Sequence, residues 1–79
     1  MLATSRLELI AEYESNIKAE KRVIAESVDI LKRHVRAGSK MRNMMDFERT
    51  RIIHASKRIQ TYERYIQTLR TALTRIAHI

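Results

Sequence analysis

Apolar side chains recur at every seventh position in both halves of this chain. The first half carries such a row at Ile10, Ile17, Ile24 and Leu31. The second half carries a longer row at Met45, Ile52, Ile59, Ile66 and Leu73. A seven-residue apolar repeat is typical of α-helices that pack side by side as a coiled coil. The pattern therefore predicts two long amphipathic helices.

A coiled-coil seam needs a companion row beside each apolar row. In the first half we assign this row to Leu7, Glu14, Lys21, Val28 and Val35. In the second half we assign it to Met41, Glu48, Ala55, Tyr62, Leu69 and Ile76. We expect the charged members to extend to the edge of the seam, with Glu14 accepting a hydrogen bond from the Tyr62 hydroxyl. Alternatively, these polar residues set the helix register.

One glycine interrupts the helical pattern, and the chain has no proline. Gly38 can adopt the left-handed conformation that ends a helix, and Ser39 can cap the helix that follows. We therefore predict a turn at 37–39 and a second helix over about 40–77.

The start of the first helix is predicted from a capping-box pattern. Ser5 is followed three residues later by Glu8, and each side chain can accept a hydrogen bond from the backbone N–H of the other. The first helix should then run over about 5–36. With so few breakers we expect residues 1–79 to form a single domain.

Folding the chain about Gly38 tests whether the two rows can meet. Antiparallel helices pair residues whose numbers have a constant sum, and here that sum is 76. The predicted layers are Leu7 with Leu69, Ile10 with Ile66, Glu14 with Tyr62, Ile17 with Ile59, Lys21 with Ala55, Ile24 with Ile52, Val28 with Glu48, Leu31 with Met45, and Val35 with Met41. This agreement predicts an all-α fold, an antiparallel two-helix coiled-coil hairpin.

One side of the predicted hairpin is apolar beyond the seam itself. It gathers Leu9, Tyr13, Val23, Ile30, Met44, Phe47, Tyr65 and Ala72. It also places Glu20 opposite Arg58, which predicts an ion pair between the helices. A chain of 79 residues without cysteine has little core of its own and gains most from oligomerisation. We expect this side to form a homodimer interface in a four-helix bundle; the alternative is a docking surface for a different protein.

Positive charge is concentrated in the second half and around the turn. From Lys40 onward nine basic residues face three acidic ones, within a net charge of +7. No acidic residue occurs between positions 32 and 42. Such a cluster favours an acidic partner, either a protein surface or nucleic acid. The candidate binding residues are Lys32, Arg33, Arg36, Lys40, Arg42 and Arg49.

Catalytic and metal-binding chemistry has little support in the residue pattern. The chain lacks cysteine and a glycine-rich phosphate loop, and its three histidines do not have the i, i+4 spacing that directs two of them at one ion. We therefore expect no catalytic residues, no cofactor and no metal. No apolar stretch approaches the length of a membrane span or a signal peptide's core, so we also expect a soluble, intracellular, cytoplasmic protein.

The function hypothesis is a small non-enzymatic interaction protein, acting as a regulator, adaptor or inhibitor, that docks its basic surface on an acidic protein. Such small free-standing hairpins are typical of phages and plasmids, whose proteins act on host machinery. The alternative is a helical hairpin dimer that contacts an RNA or DNA backbone through the basic turn region.

Overall fold

The computed structural model describes residues 2–38 and 42–77, and the side chains of residues 5–38 and 42–75. Two helices, α1 (Leu2–Arg36) and α2 (Arg42–Ala77), pack against each other. They form a thin rod with dimensions of 61 × 14 × 14 Å. The predicted all-helical, two-helix hairpin is confirmed. Within the described residues no helix is long and apolar enough to cross a membrane.

The first helix begins earlier than the capping-box pattern predicts. α1 starts at Leu2, so Ser5 lies within its first turns and does not cap it. Leucine and alanine are strong helix formers, and neither glycine nor proline stands at positions 2–4 to stop the helix there. The predicted start near residue 5 is therefore wrong by three residues.

The first helix ends in a tight turn at Gly38. The Ala37 N–H donates to the Arg33 carbonyl at 3.0 Å, and the Gly38 N–H donates to the Val35 carbonyl at 3.1 Å. Gly38 has a φ angle of 64°, in the left-handed region that side chains disfavour. Glycine is thus the residue type that this turn requires. The predicted seam position Met41 and the predicted binding residue Lys40 lie outside the described residues.

The buried and half-buried positions of α2 follow the two predicted rows. They include Met45, Glu48, Ile52, Ala55, Ile59, Tyr62, Ile66, Leu69 and Leu73. Glu48, however, does not extend to the edge as expected, because its carboxylate side chain is only 8% exposed. It accepts a hydrogen bond from Arg51, one turn further along the same helix, at 3.2 Å.

The companion row of α1 differs from the prediction. Leu7 and Val35 are 58% and 66% exposed, and Glu14 and Lys21 are exposed as well. The positions that face α2 are instead buried or half-buried residues one place earlier in the sequence, namely Arg6, Tyr13, Glu20, Ser27 and His34. The predicted layers built on Leu7, Glu14, Lys21 and Val35 are therefore wrong.

The cross-helix contacts show why the row shifts by one residue. The Tyr13 ring stacks on Tyr62, with ring centroids 5.7 Å apart, so Tyr13 takes the place that we predicted for Glu14. Glu14 points outward and accepts a hydrogen bond from Arg70 at 2.9 Å. A tyrosine ring gains more from burial than a carboxylate, which would lose its hydration. The aromatic residue therefore occupies the seam, and the charged one stays in water.

The core of the hairpin is small. Among the described residues, the hydrophobic side chains with almost no exposure are Ile10, Ala55 and Ile66. The other well-buried residues are polar, Ser27 and Glu48. The remaining isoleucines of the two rows, such as Ile17 and Ile59, are only half-buried. Two helices alone cannot surround their own apolar faces, so much apolar surface stays accessible to water.

Candidate interaction surfaces

The apolar flank is the set of eight residues predicted above as a dimer interface: Leu9, Tyr13, Val23, Ile30, Met44, Phe47, Tyr65 and Ala72. Six of them directly precede a residue of an apolar seam row, as Leu9 precedes Ile10 and Tyr65 precedes Ile66. In an antiparallel pair of helices, positions that precede the seam lie on the same side of both helices. The flank thus forms one continuous side of the rod.

Exposure along the flank is high for several large side chains. Phe47 is 62% exposed, Tyr65 49%, Met44 44% and Leu9 39%. Tyr13, Val23, Ile30 and Ala72 are half-buried. Exposed large apolar side chains gathered along one side of a protein are typical of an interaction site.

At the open end of the hairpin, the end away from the turn, the flank contains a shallow groove. Its volume is about 360 Å³, and it is lined by Leu9, Tyr13, Tyr65, Thr68 and Leu69. The rings of Tyr13 and Tyr65 form part of its wall, with centroids 5.5 Å apart and planes tilted by 47°. The open end therefore presents an apolar recess framed by two aromatic rings.

An ion pair divides the flank at its middle. Arg58 donates from Nε and from Nη2 to the two carboxylate oxygens of Glu20, at 2.8 and 3.0 Å. This confirms the predicted pair between the helices. The hydrogen bond to Glu20 raises the pKa of Arg58 above its ordinary value, so the guanidinium group stays charged at physiological pH. The two-pronged geometry orients the pair and ties α1 to α2.

At the turn end of the flank, Phe47 projects from α2. The guanidinium carbon of Arg51 lies 6.0 Å from the centre of the Phe47 ring, within reach of a cation–π interaction. Arg51 also donates to the buried Glu48 at 3.2 Å. The aromatic ring is therefore supported from one side by a charged group that is itself held in place.

Sequence reasoning missed Arg51 as a member of this surface. The signal was present in the seven-residue repeat, because Met44, Arg51, Arg58 and Tyr65 occupy equivalent positions of α2. The predicted apolar interface includes only Met44 and Tyr65 of these four residues. The flank is better described as two apolar ends separated by the charged pairs Glu20–Arg58 and Glu48–Arg51.

The basic tip is the set of exposed cations near the turn: Lys32, Arg33, Arg36, Arg42 and Arg49. Two of them already have acidic neighbours, since Arg33 contacts Asp29 at 2.7 Å and Arg49 contacts Asp46 at 3.4 Å. Within the described residues, the other three form no ion pair. The tip therefore offers at least three uncompensated positive charges.

The basic tip and the apolar flank lie largely on different sides of the rod. Lys32 and Arg49 each directly follow a seam residue, Leu31 and Glu48, whereas most of the flank residues directly precede one. The two kinds of position are on opposite sides of the seam. A partner on the flank would thus leave most of the tip accessible.

No metal-binding cluster of histidine and acidic residues occurs in the described part of the chain. Comparisons of the chain with protein-family models, curated proteins and solved structures give no match.

Proposed function

We propose that this chain is a non-enzymatic interaction protein, acting as a regulator, adaptor or inhibitor. Two hairpins dimerise through the apolar flank into a four-helix bundle, and the basic tip of each hairpin binds an acidic surface on a partner protein. The observation that carries the proposal is the combination of an uncovered apolar flank with a separate cluster of cations, three of which form no ion pair among the described residues.

The accessible area supports the dimer. A compact monomer of 9.3 kDa is expected to expose about 5,000 Å², whereas this chain exposes 6396 Å². The excess is larger than the roughly 800 Å² that each partner buries in a standard protein interface. A second copy on the flank would bring the area per chain close to that of an ordinary folded protein.

The charges of the tip support an acidic partner. Lys32, Arg36 and Arg42 are exposed and have no carboxylate within ion-pair distance among the described residues. Unpaired surface charge of one sign accelerates encounter with a surface of the opposite sign. Such an interaction should weaken as salt is added, because screening shortens the range of the attraction.

A protein partner is favoured over nucleic acid by the acidic residues beside the tip. Asp29 and Asp46 hold Arg33 and Arg49 in ion pairs and would repel the closely spaced phosphates of a nucleic acid strand. A folded acidic protein can place its carboxylates to avoid these two aspartates. Binding to an RNA or DNA backbone is the competing function.

Charge reversal with a matched control tests the proposal. The tip variant is Lys32→Glu with Arg36→Glu and Arg42→Glu. The control variant is Lys18→Glu with Arg22→Glu and Arg64→Glu, three exposed residues away from the turn that change the net charge by the same amount.

Each immobilised protein is exposed to an extract of the source organism, and the retained proteins are identified by mass spectrometry. We expect an acidic protein that the wild type and the control retain, that the tip variant loses, and that salt releases. Fluorescence anisotropy with labelled RNA and DNA at low salt forms the second arm. If the tip variant binds RNA or DNA more weakly than the wild type and the control do, the partner is nucleic acid and not a protein. If the tip variant and the control retain the same proteins from the extract, the role of the tip is refuted.

A further inference from the structure

We infer that the two copies pack antiparallel on the apolar flank, with the open end of one hairpin on the turn end of the other. The dimer is then a rod with one basic tip at each end. This inference rests on the proposed dimer and adds its geometry and its consequence for binding.

The flank is arranged symmetrically about its central ion pair. Glu20 and Arg58 lie close to the midpoints of α1 (Leu2–Arg36) and α2 (Arg42–Ala77). Along α2, Tyr65 and Leu69 lie seven and eleven residues from Arg58 towards the open end, and Phe47 lies eleven residues away towards the turn. At 1.5 Å per residue, these positions are roughly 10 to 17 Å on either side of the pair. A two-fold axis through the ion pair, perpendicular to the rod, therefore places the open end of one copy opposite the turn end of the other.

The two regions have complementary shapes. The open end holds the groove lined by Leu9, Tyr13, Tyr65, Thr68 and Leu69, and the turn end holds the protruding ring of Phe47, which is 62% exposed. Antiparallel packing places the ring of one copy at the groove of the other, twice in the dimer. Parallel packing would set ring against ring and groove against groove, which leaves the recess unfilled at a loss of packing.

The distribution of charge favours the same arrangement. Parallel packing would place both basic tips at the same end of the dimer, where Lys32, Arg36 and Arg42 of each copy form no ion pair among the described residues. Like charges gathered at one end of a protein repel each other, and this repulsion falls with distance and with added salt. Antiparallel packing separates the tips by nearly the length of the rod, 61 Å.

The consequence is that each dimer has two equivalent binding sites that face opposite directions. The dimer would therefore bridge two molecules of the acidic partner, with one partner molecule bound at each end of the rod. Partners that are themselves dimeric or that are arrayed on a surface would bind with increased avidity where their spacing matches the rod.

Distances between spin labels test the arrangement directly, because the chain contains no cysteine and single cysteines can be introduced. Ala37→Cys carries a label at the turn, and Arg75→Cys carries one near the open end. Arg22→Cys, an exposed position near the middle of α1, serves as the control. Pulsed dipolar spectroscopy then measures the distance between the two labels of each dimer.

Antiparallel packing predicts distances of about 50 Å or more at both end positions, given the 61 Å rod, and about 30 Å or less at the central position, given helix diameters of about 10 Å. Short distances at all three positions would establish parallel packing and overturn the inference, while the proposed dimer would stand. The absence of any label-to-label distance would overturn both. If the distances are as predicted but the tip variant and its control retain the same proteins, the dimer arrangement stands and the proposed binding function of the tip is refuted.

Discussion

Polar side chains occupy positions between the two helices that a coiled coil usually fills with apolar ones. Ser27 is fully buried and Glu48 is 6% exposed, while the Glu20 side chain is 17% exposed. Both carboxylates are satisfied by arginines, Arg51 and Arg58. The hydroxyl of Ser27 has no hydrogen-bond partner among the residues that the structure describes. Among the described residues, Ser27 and Arg6, through its Nη1 atom, each bury a polar group that has no hydrogen-bond partner, and such a group has an energetic cost.

Replacing Ser27→Ala should stabilise the protein. The change removes a buried hydroxyl without a partner, which costs roughly 1 to 3 kcal/mol, and it introduces the strongest helix former. We expect the free energy of unfolding to rise by about 1 kcal/mol, measured by chemical denaturation followed by circular dichroism.

The matched control is Ser15→Ala, at an exposed position of the same helix. There the only gain is in helix propensity. Serine is about 0.5 kcal/mol less favourable than alanine within a helix, so we expect an increase in stability of that size or less. If Ser27→Ala instead destabilises the protein relative to Ser15→Ala, the hydroxyl has a stabilising partner and the assignment fails.

At the scale of the helices, α1 shows how a seven-residue repeat can be compatible with two different faces. The row Ile10, Ile17, Ile24 and Leu31 can be completed by positions three or four residues later. Four residues later stand Glu14, Lys21, Val28 and Val35, and three residues later stand Tyr13, Glu20, Ser27 and His34. The structure buries the second set more deeply at each of the four positions, because Tyr13 packs on Tyr62 and Tyr65, and Glu20 pairs with Arg58.

This choice of face predicts unequal effects from two neighbouring truncations in α1. Ile10→Ala should lower the free energy of unfolding by about 2 to 4 kcal/mol, because Ile10 is only 7% exposed and its loss leaves a cavity. Leu7→Ala should cost less than about 1 kcal/mol, because Leu7 is 58% exposed. Denaturation of both variants at one protein concentration makes the comparison. If Leu7→Ala lowers the free energy of unfolding as much as Ile10→Ala does, Leu7 faces α2 as the sequence predicts, and the face of α1 seen in the structure is wrong.

At the scale of the whole molecule, the hairpin is long and thin and covers little of its own apolar surface. Its cross-section is 14 Å, and each helix packs against only one other helix. Every seam residue is therefore near solvent on at least one side. Covering the apolar flank with a second copy is the change that would deepen the burial of the half-exposed isoleucines.

The double variant Phe47→Glu with Tyr65→Glu should dissociate the proposed dimer, since it places carboxylates in a desolvated interface. Sedimentation equilibrium should show a dissociation constant raised by at least two orders of magnitude, on the order of 3 kcal/mol. Ile53→Glu is the control, because Ile53 is 52% exposed but follows a seam position and so lies off the flank. If the wild type is itself monomeric at micromolar concentration, the dimer is refuted.

The parts of the structure that could be predicted are those decided by local sequence. The two helices, the turn at Gly38 and the seam of α2 follow from the repeat, from a single glycine and from the absence of proline. The pair Glu20–Arg58 was predicted as well, because opposite charges stood at facing positions. The early start of α1 was not, since the Ser5 pattern is only one of several ways for a helix to begin.

The sequence by itself determined that the chain forms two amphipathic helices joined by a left-handed turn, because helix propensity and backbone sterics act over a few residues. Only the tertiary structure decided which face of α1 meets α2 and which polar residues become buried. A repeat of seven describes two adjacent faces almost equally well, and the choice between them depends on contacts with residues some forty to fifty positions away. Tyr13 and Glu20 make those contacts, with Tyr62 and with Arg58, and they align the flank and the tip on their separate sides of the rod.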